Sequence, residues 1–144
     1  MASTPTVADK YSAQRIEDKS LYSDFMTDFN FHPQTKKMLT IKDEVAVTRS
    51  IRNLLLTDRY ERLFRPQIGS TIRSMLFEDI SGHTTARLKT AIEETIENHE
   101  PRANLLEVVV TPYPEQNGYV VTVVFFLRNE SEAITINMPL VRVR

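Results

Sequence analysis

Hydrophobic and polar positions change period once along this chain. Val47, Ile51, Leu54 and Leu55 recur at i, i+4, i+7 and i+8, one face of a helix, while Thr48, Arg49, Arg52 and Asn53 fall off that face. Asp43 is placed to act as the N-cap, and the helix should end near Thr57 or Asp58. Residues 59–72 are irregular. Pro66 fixes its own φ and pushes Arg65 out of the α region, and Gly69 can supply a left-handed turn. Ser70 or Thr71 can then cap a short helix running through Arg73, Met75, Leu76 and Phe77. Ser81-Gly82-His83-Thr84 breaks the chain again. A second amphipathic helix is expected over residues 84–99, with Leu88, Ala91, Ile92, Thr95, Ile96 and His99 inward and Glu93, Glu94 and Glu97 in water. Pro101 stops it, because Glu100 just before a proline is disfavoured in α.

After Arg102 the period becomes two. Residues 104–111 read as a strand, and residues 119–128 are so continuously apolar that a central strand covered on both faces is expected. The segment between them holds Asn117-Gly118, a hairpin signal. Ile134, Ile136 and Met138 alternate with Thr135 and Asn137, and Pro139 confines that strand to an edge. The prediction is a three-strand antiparallel meander with helices on one face. Upstream, residues 37–42 suit a short strand, and the aromatic-rich stretch 21–36 suits a loop or short strand pieces. Residues 1–20 mix Ser, Thr, Pro and charge. They read as an N-terminal arm, with residues 1–10 mobile unless a partner orders them. The fold class is therefore α+β, a single domain over residues 21–144 preceded by an arm.

Composition narrows the function classes. With 144 residues, 41% apolar and 26% charged, the chain has the balance of one globular domain. No apolar run approaches the roughly 20 residues of a membrane span, and the first twenty residues lack the apolar stretch of a secretory signal, so no membrane partner is expected. Cys is absent, which rules out disulfides, thiolate metal sites and Cys nucleophiles. The net charge of −1 is spread evenly and no segment is basic enough for a nucleic-acid face. Arg alone is uneven. Arg49, Arg52, Arg59, Arg62, Arg65 and Arg73 are the only bases between residues 43 and 80. Since Arg favours planar, bidentate contacts, this stretch reads either as a contact surface or as solvated side chains paired with Asp58 and Glu61.

Catalytic signatures are missing. With three Gly and no glycine-rich motif, a phosphate-cradling loop is not expected, and His32, His83 and His99 are far apart, with no second His or carboxylate at metal spacing in their own helices. Glu93, Glu94, Glu97 and Glu100 do not meet the requirement of glycosidase chemistry for two carboxyls flanking a cleft, one with a raised pKa; a solvated helix face is the simpler reading. No catalytic residue, cofactor or metal is expected. Glu100-Pro101-Arg102 is more informative, because it displays opposite charges at a rigid corner. Two readings stand level there, a local ion pair at a helix stop and a docking corner.

The order of motifs is familiar. It runs through Tyr22-Ser23-Asp24-Phe25, the helix with Arg49-Ser50-Ile51-Arg52-Asn53-Leu54-Leu55, then Arg62-Leu63-Phe64-Arg65-Pro66-Gln67-Ile68-Gly69, Leu76-Phe77-Glu78, Glu100-Pro101-Arg102 and Val110-Thr111-Pro112. Over residues 21–142 this resembles the lysozyme-like baseplate wedge family of contractile-tail phages, which includes sheath initiators and the TssE component of type VI secretion. Tyr60 departs from the pattern, since relatives often carry Gly there. The resemblance implies a non-enzymatic structural protein of the virion tail baseplate, assembled in the host cytoplasm in six copies. Its partners would be baseplate wedge core proteins and the tail sheath protein. Glu100, Pro101 and Arg102 would fix it to the wedge core, while Arg62, Pro66 and Gly69 would shape their loop. Ile134, Thr135, Ile136 and Asn137 form an uncharged strand at a sheet edge, suited to addition of a strand from the sheath. A type VI component and, from another class, a peptidoglycan-degrading enzyme are the alternatives.

Overall fold

In a computed structural model of the chain, the described residues are 20–142 apart from 27, 29 and 129. The expected arm, residues 1–20, lies outside them except for Ser20. Two compact units divide the chain, residues 1–43 and 44–144.

In the first unit, β1 (Ser23–Phe25) pairs antiparallel with β2 (Thr40–Lys42), and Phe31 bridges to Met38. The aromatic-rich stretch thus forms short strand pieces. Asp43 closes the unit. Its carboxylate accepts hydrogen bonds from the backbone N–H groups of Leu21 and Tyr22, at 2.8 and 3.0 Å. Asp43 was expected as a helix N-cap, but its φ of +44° is far from the extended backbone of a cap, and its side chain is spent on the preceding segment.

The second unit is α+β. Helix α1 (Asp43–Leu56) buries Val47, Ile51, Leu54 and Leu55, the face its periodicity marks. The short α2 (Ile72–Met75) follows the irregular loop. Helix α3 (Gly82–His99) begins two residues before its expected start, because Ser81 caps it by accepting from the Thr84 N–H at 3.2 Å. Leu88, Ile92 and Ile96 on α3 are fully buried, and the helix lies along β3.

Strands β3 (Ala103–Tyr113), β4 (Gly118–Leu127) and β5 (Ala133–Val141) form the antiparallel meander, in the order β3-β4-β5. Val108 faces Val123, Val110 faces Val121, and Met138 faces Val121 from the other side. A bulge between Leu105 and Glu107 leaves Leu106 exposed. β4 is central, yet it is not covered on both faces as its apolar run suggested. Tyr119, Val121, Val123, Phe125 and Leu127 are buried, whereas Val120, Thr122, Val124 and Phe126 are half-buried. A layer of helices closes one face of a sheet, and an apolar run by itself does not count the layers. The β3–β4 connection also differs from a two-residue Asn-Gly turn. Pro114 cannot donate a ladder hydrogen bond, and a 3-10 turn over Pro114–Gln116 precedes Asn117 in the left-handed conformation. Gly118 is required next, because a Cβ there would collide with the Leu140 carbonyl oxygen.

Candidate functional site

The end of α3 builds a corner. The Glu100 N–H still donates to the Ile96 carbonyl at 2.8 Å, but Pro101 ends the helix. The chain turns through Ala103 N–H donating to the Glu100 carbonyl, and the Arg102 carbonyl accepts from Arg128 N–H at the end of β4. The turn brings the Arg102 guanidinium back onto the Glu100 carboxylate, with Nε to Oε1 at 2.6 Å and Nη2 to Oε2 at 2.9 Å. Ser50, fifty residues earlier on α1, donates its hydroxyl to Oε2 at 2.5 Å. Glu100 is only 3% exposed, Pro101 is exposed, and the Arg102 side chain is 26% exposed.

Burial by itself would raise the Glu100 pKa. The hydrogen bonds and charge of Arg102, together with the Ser50 hydroxyl, outweigh it and hold the carboxyl below its ordinary value of 4.5. A general acid working near neutrality needs the opposite shift, so Glu100 is not built to protonate a leaving group. Glu94 and Glu97 are exposed, and Glu93 sits 3.8 Å from Lys89 one helical turn away. Among the described residues no group of His, Asp and Glu could hold a metal ion, and no helix is long and apolar enough to cross a membrane.

The sequence pointed to Glu100 and Arg102 but not to Ser50. The one available signal was that Ser50 borders the apolar stripe of α1, between Val47 and Leu54, where a polar residue must find a partner. Both readings of the corner have some footing in this geometry: the ion pair is internal, and Pro101 with part of Arg102 reaches the surface.

At the opposite edge of the sheet, β5 pairs, among the described residues, with β4 only. Ile136 is buried, Ile134 is half-buried, and Thr135 and Asn137 are exposed. A groove of about 380 Å³ runs between this strand and α1, lined by Thr135, Ile136 and Asn137 on one side and Val45, Thr48, Arg49 and Arg52 on the other. Pro139 is accommodated in a ladder only where its missing N–H faces outward. By the two-residue period, Thr135 and Asn137 then turn their N–H and C=O groups toward the open edge.

Arg62, Pro66 and Gly69 lie in one hydrogen-bonded loop away from the corner. The Arg62 carbonyl accepts from Arg65 N–H at 3.4 Å, and the Pro66 carbonyl accepts from Tyr60 N–H at 3.0 Å. Gly69 is buried with φ +132°, and a Cβ there would stand 2.7 Å from the Asp58 carbonyl oxygen. Tyr60, the departure from the family pattern, has φ +69°, so the conformation that favours glycine is present without the glycine.

The family profile of the baseplate wedge protein gp25 matches residues 42–131. The baseplate wedge protein gp25 of Enterobacteria phage T4 is 33% identical over 81 residues, which cover 54% of this chain and 61% of the phage protein. The match therefore spans less than two thirds of that relative. A candidate tail lysozyme of Geobacter sulfurreducens superposes with a TM-score of 0.64 at 26% identity, over 70% of this chain and 92% of that one. A chain of the anti-feeding prophage baseplate shares the fold, with a TM-score of 0.59 at 24% identity over 85% of this chain and 87% of that one. The matched residues take in α1, the loop, α3, the Glu100 corner and the first two strands of the sheet, and the chain belongs to the baseplate wedge protein gp25 family.

Proposed function

We propose that the protein is a non-enzymatic structural component of a contractile-tail baseplate wedge, which anchors to the wedge core at the Glu100-Pro101-Arg102 corner and starts the tail sheath at the β5 edge. Family membership supports the baseplate role. The observation that carries the nucleating role is the β5 edge itself. An open edge is normally guarded by Lys, a bulge or a covering element, yet residues 133–141 carry no charge. The edge opens instead on a groove whose far wall holds Arg49 and Arg52. An incoming strand would gain main-chain hydrogen bonds along Thr135 and Asn137, and acidic side chains on it would meet the arginines. At the other end, the internal Arg102–Glu100 pair holds Pro101 in a fixed, exposed position as an anchor.

Thr135→Pro and Asn137→Pro test the edge. Each removes one outward N–H and leaves the β4 ladder intact. The expected result is folded protein that enters baseplates carrying no sheath. Normal sheath on baseplates shown to contain the variant would overturn the proposal. The enzymatic alternative, which the name of the Geobacter relative raises, is tested by a cell-wall zymogram, where clearing by the purified protein would count against a purely structural role.

A further inference from the structure

The loop over residues 59–65 is used by neither surface above, and it carries the most exposed apolar side chains of the described residues. Tyr60 is 81%, Leu63 86% and Phe64 99% exposed. Backbone hydrogen bonds hold it in place. Arg59 N–H donates to the Ser70 carbonyl, Tyr60 N–H to that of Pro66, and Ser70 N–H to that of Thr57. Tyr60 and Phe64 nevertheless hold φ values of +69° and +70°, a conformation costly for bulky side chains. The chain thus accepts backbone strain at two positions while leaving both aromatic rings in water.

Charge around the rings is one-sided. The one acid of the loop, Glu61, accepts from the Asp58 N–H, and the neighbouring Asp58 carboxylate faces Arg73 on α2 at 3.4 Å, so neither acid is paired with an arginine of the loop. Arg59, Arg62 and Arg65 make no ion pair among the described residues. Aromatic rings and arginines presented together on a preformed backbone are the composition of interface hot spots.

We propose that this loop is a docking knuckle, which inserts Leu63 and Phe64 into an apolar groove rimmed by carboxylates on a neighbouring protein. The convex, near fully exposed tip requires a concave partner, and the three arginines require acids around its rim. A second copy of this chain fits poorly. Its acidic helix face, with Glu94 and Glu97, keeps its apolar residues buried on the opposite side, and its apolar groove beside Leu56, Leu76 and Phe77 is rimmed by Arg73 and Arg142 rather than by acids.

A photo-reactive benzoylphenylalanine at position 64 of the full chain, in cells producing the whole assembly, reads the contact directly. The same probe at Glu97 serves as the exposed control. The expected product is a cross-link to a different protein, mapped to an apolar site flanked by Asp or Glu and absent from the control. Cross-links to a second copy, to lipid or to nucleic acid, or none above the control, would overturn the proposal. In parallel, the Leu63→Ser, Phe64→Ser double variant should keep the thermal transition of the parent and lose roughly tenfold or more in recovery of that cross-linked partner by co-purification. Undiminished recovery would also overturn it.

Discussion

The Glu100 carboxylate survives burial because two residues pay for its desolvation, Arg102 with a bidentate pair and Ser50 with a hydroxyl. Its pKa is lowered in the folded state, so its contribution to stability is full above about pH 4.5 and is lost as pH falls through the folded value. Arg102→Gln removes the dominant compensation and leaves burial in charge. The variant should lose about 3 kcal/mol near neutrality, as for a buried pair broken on one side. Its pH dependence should reverse, with stability increasing as pH is lowered and Glu100 becomes neutral. Chemical denaturation of both proteins between pH 4 and 7 reads both effects, and parallel pH profiles would show that Arg102 does not hold the carboxylate. Gly69 is the second sensitive residue. With φ +132° and backbone oxygens where a Cβ would stand, Gly69→Ala should cost about 1–3 kcal/mol, read as a lowered melting temperature. An unchanged transition would mean that the loop relaxes freely around residue 69.

Among the elements, α3 has the clearest division of labour. One face buries Leu88, Ile92 and Ile96, the other carries Glu94 and Glu97 in water, and Ser81 closes its N-terminus. Ile92 is fully buried, so Ile92→Ala should destabilise by about 2–5 kcal/mol, through lost transfer energy plus the cavity left behind. A melting temperature equal to that of the parent would place Ile92 outside the core. The sheet divides its labour differently. β4 is satisfied on both sides by hydrogen bonds, whereas β5 offers one ladder inward and one outward. β3 is the other edge of the sheet, but it carries the bulge at Leu105/Glu107 and the charge of Glu107, whereas β5 carries neither bulge nor charge, which is why the proposed strand addition is assigned to β5.

In the molecule as a whole, every buried apolar residue among those described lies between Ala46 and Leu140. The second unit therefore contains the hydrophobic core, and a fragment of residues 44–144 should keep a cooperative thermal transition by circular dichroism. A broad, non-cooperative melt would show that the first unit supplies part of that core. This core supports three separate features of the same unit, the Glu100 corner, the β5 edge and the Tyr60–Phe64 tip. The proposed role, holding to a wedge core while the sheath starts elsewhere, calls for separate surfaces of this kind.

Periodicity determined most of the architecture by itself. Apolar spacing of three to four residues marks α1 and α3, and spacing of two marks β3 and β5, because each element buries one face and the pattern repeats locally. Pro101 and Pro139 likewise announced a helix stop and an edge strand, since a missing N–H and a fixed φ act wherever a proline stands. Family membership was legible for the same reason, as an ordered series of local motifs. What only the tertiary structure decided is what depends on residues distant in the chain. Ser50 meets Glu100 across fifty positions, a partner of the buried carboxylate that the Glu100-Pro101-Arg102 corner does not announce. The one-sided cover of β4 follows from where the helices pack, which its apolar run does not encode. Asp43 turned from cap to clasp because Leu21 and Tyr22 reach it first. The left-handed backbone at Tyr60 and Phe64 runs against the preference of their own side chains; hydrogen bonds from the rest of the loop impose it, and no local propensity foretells it.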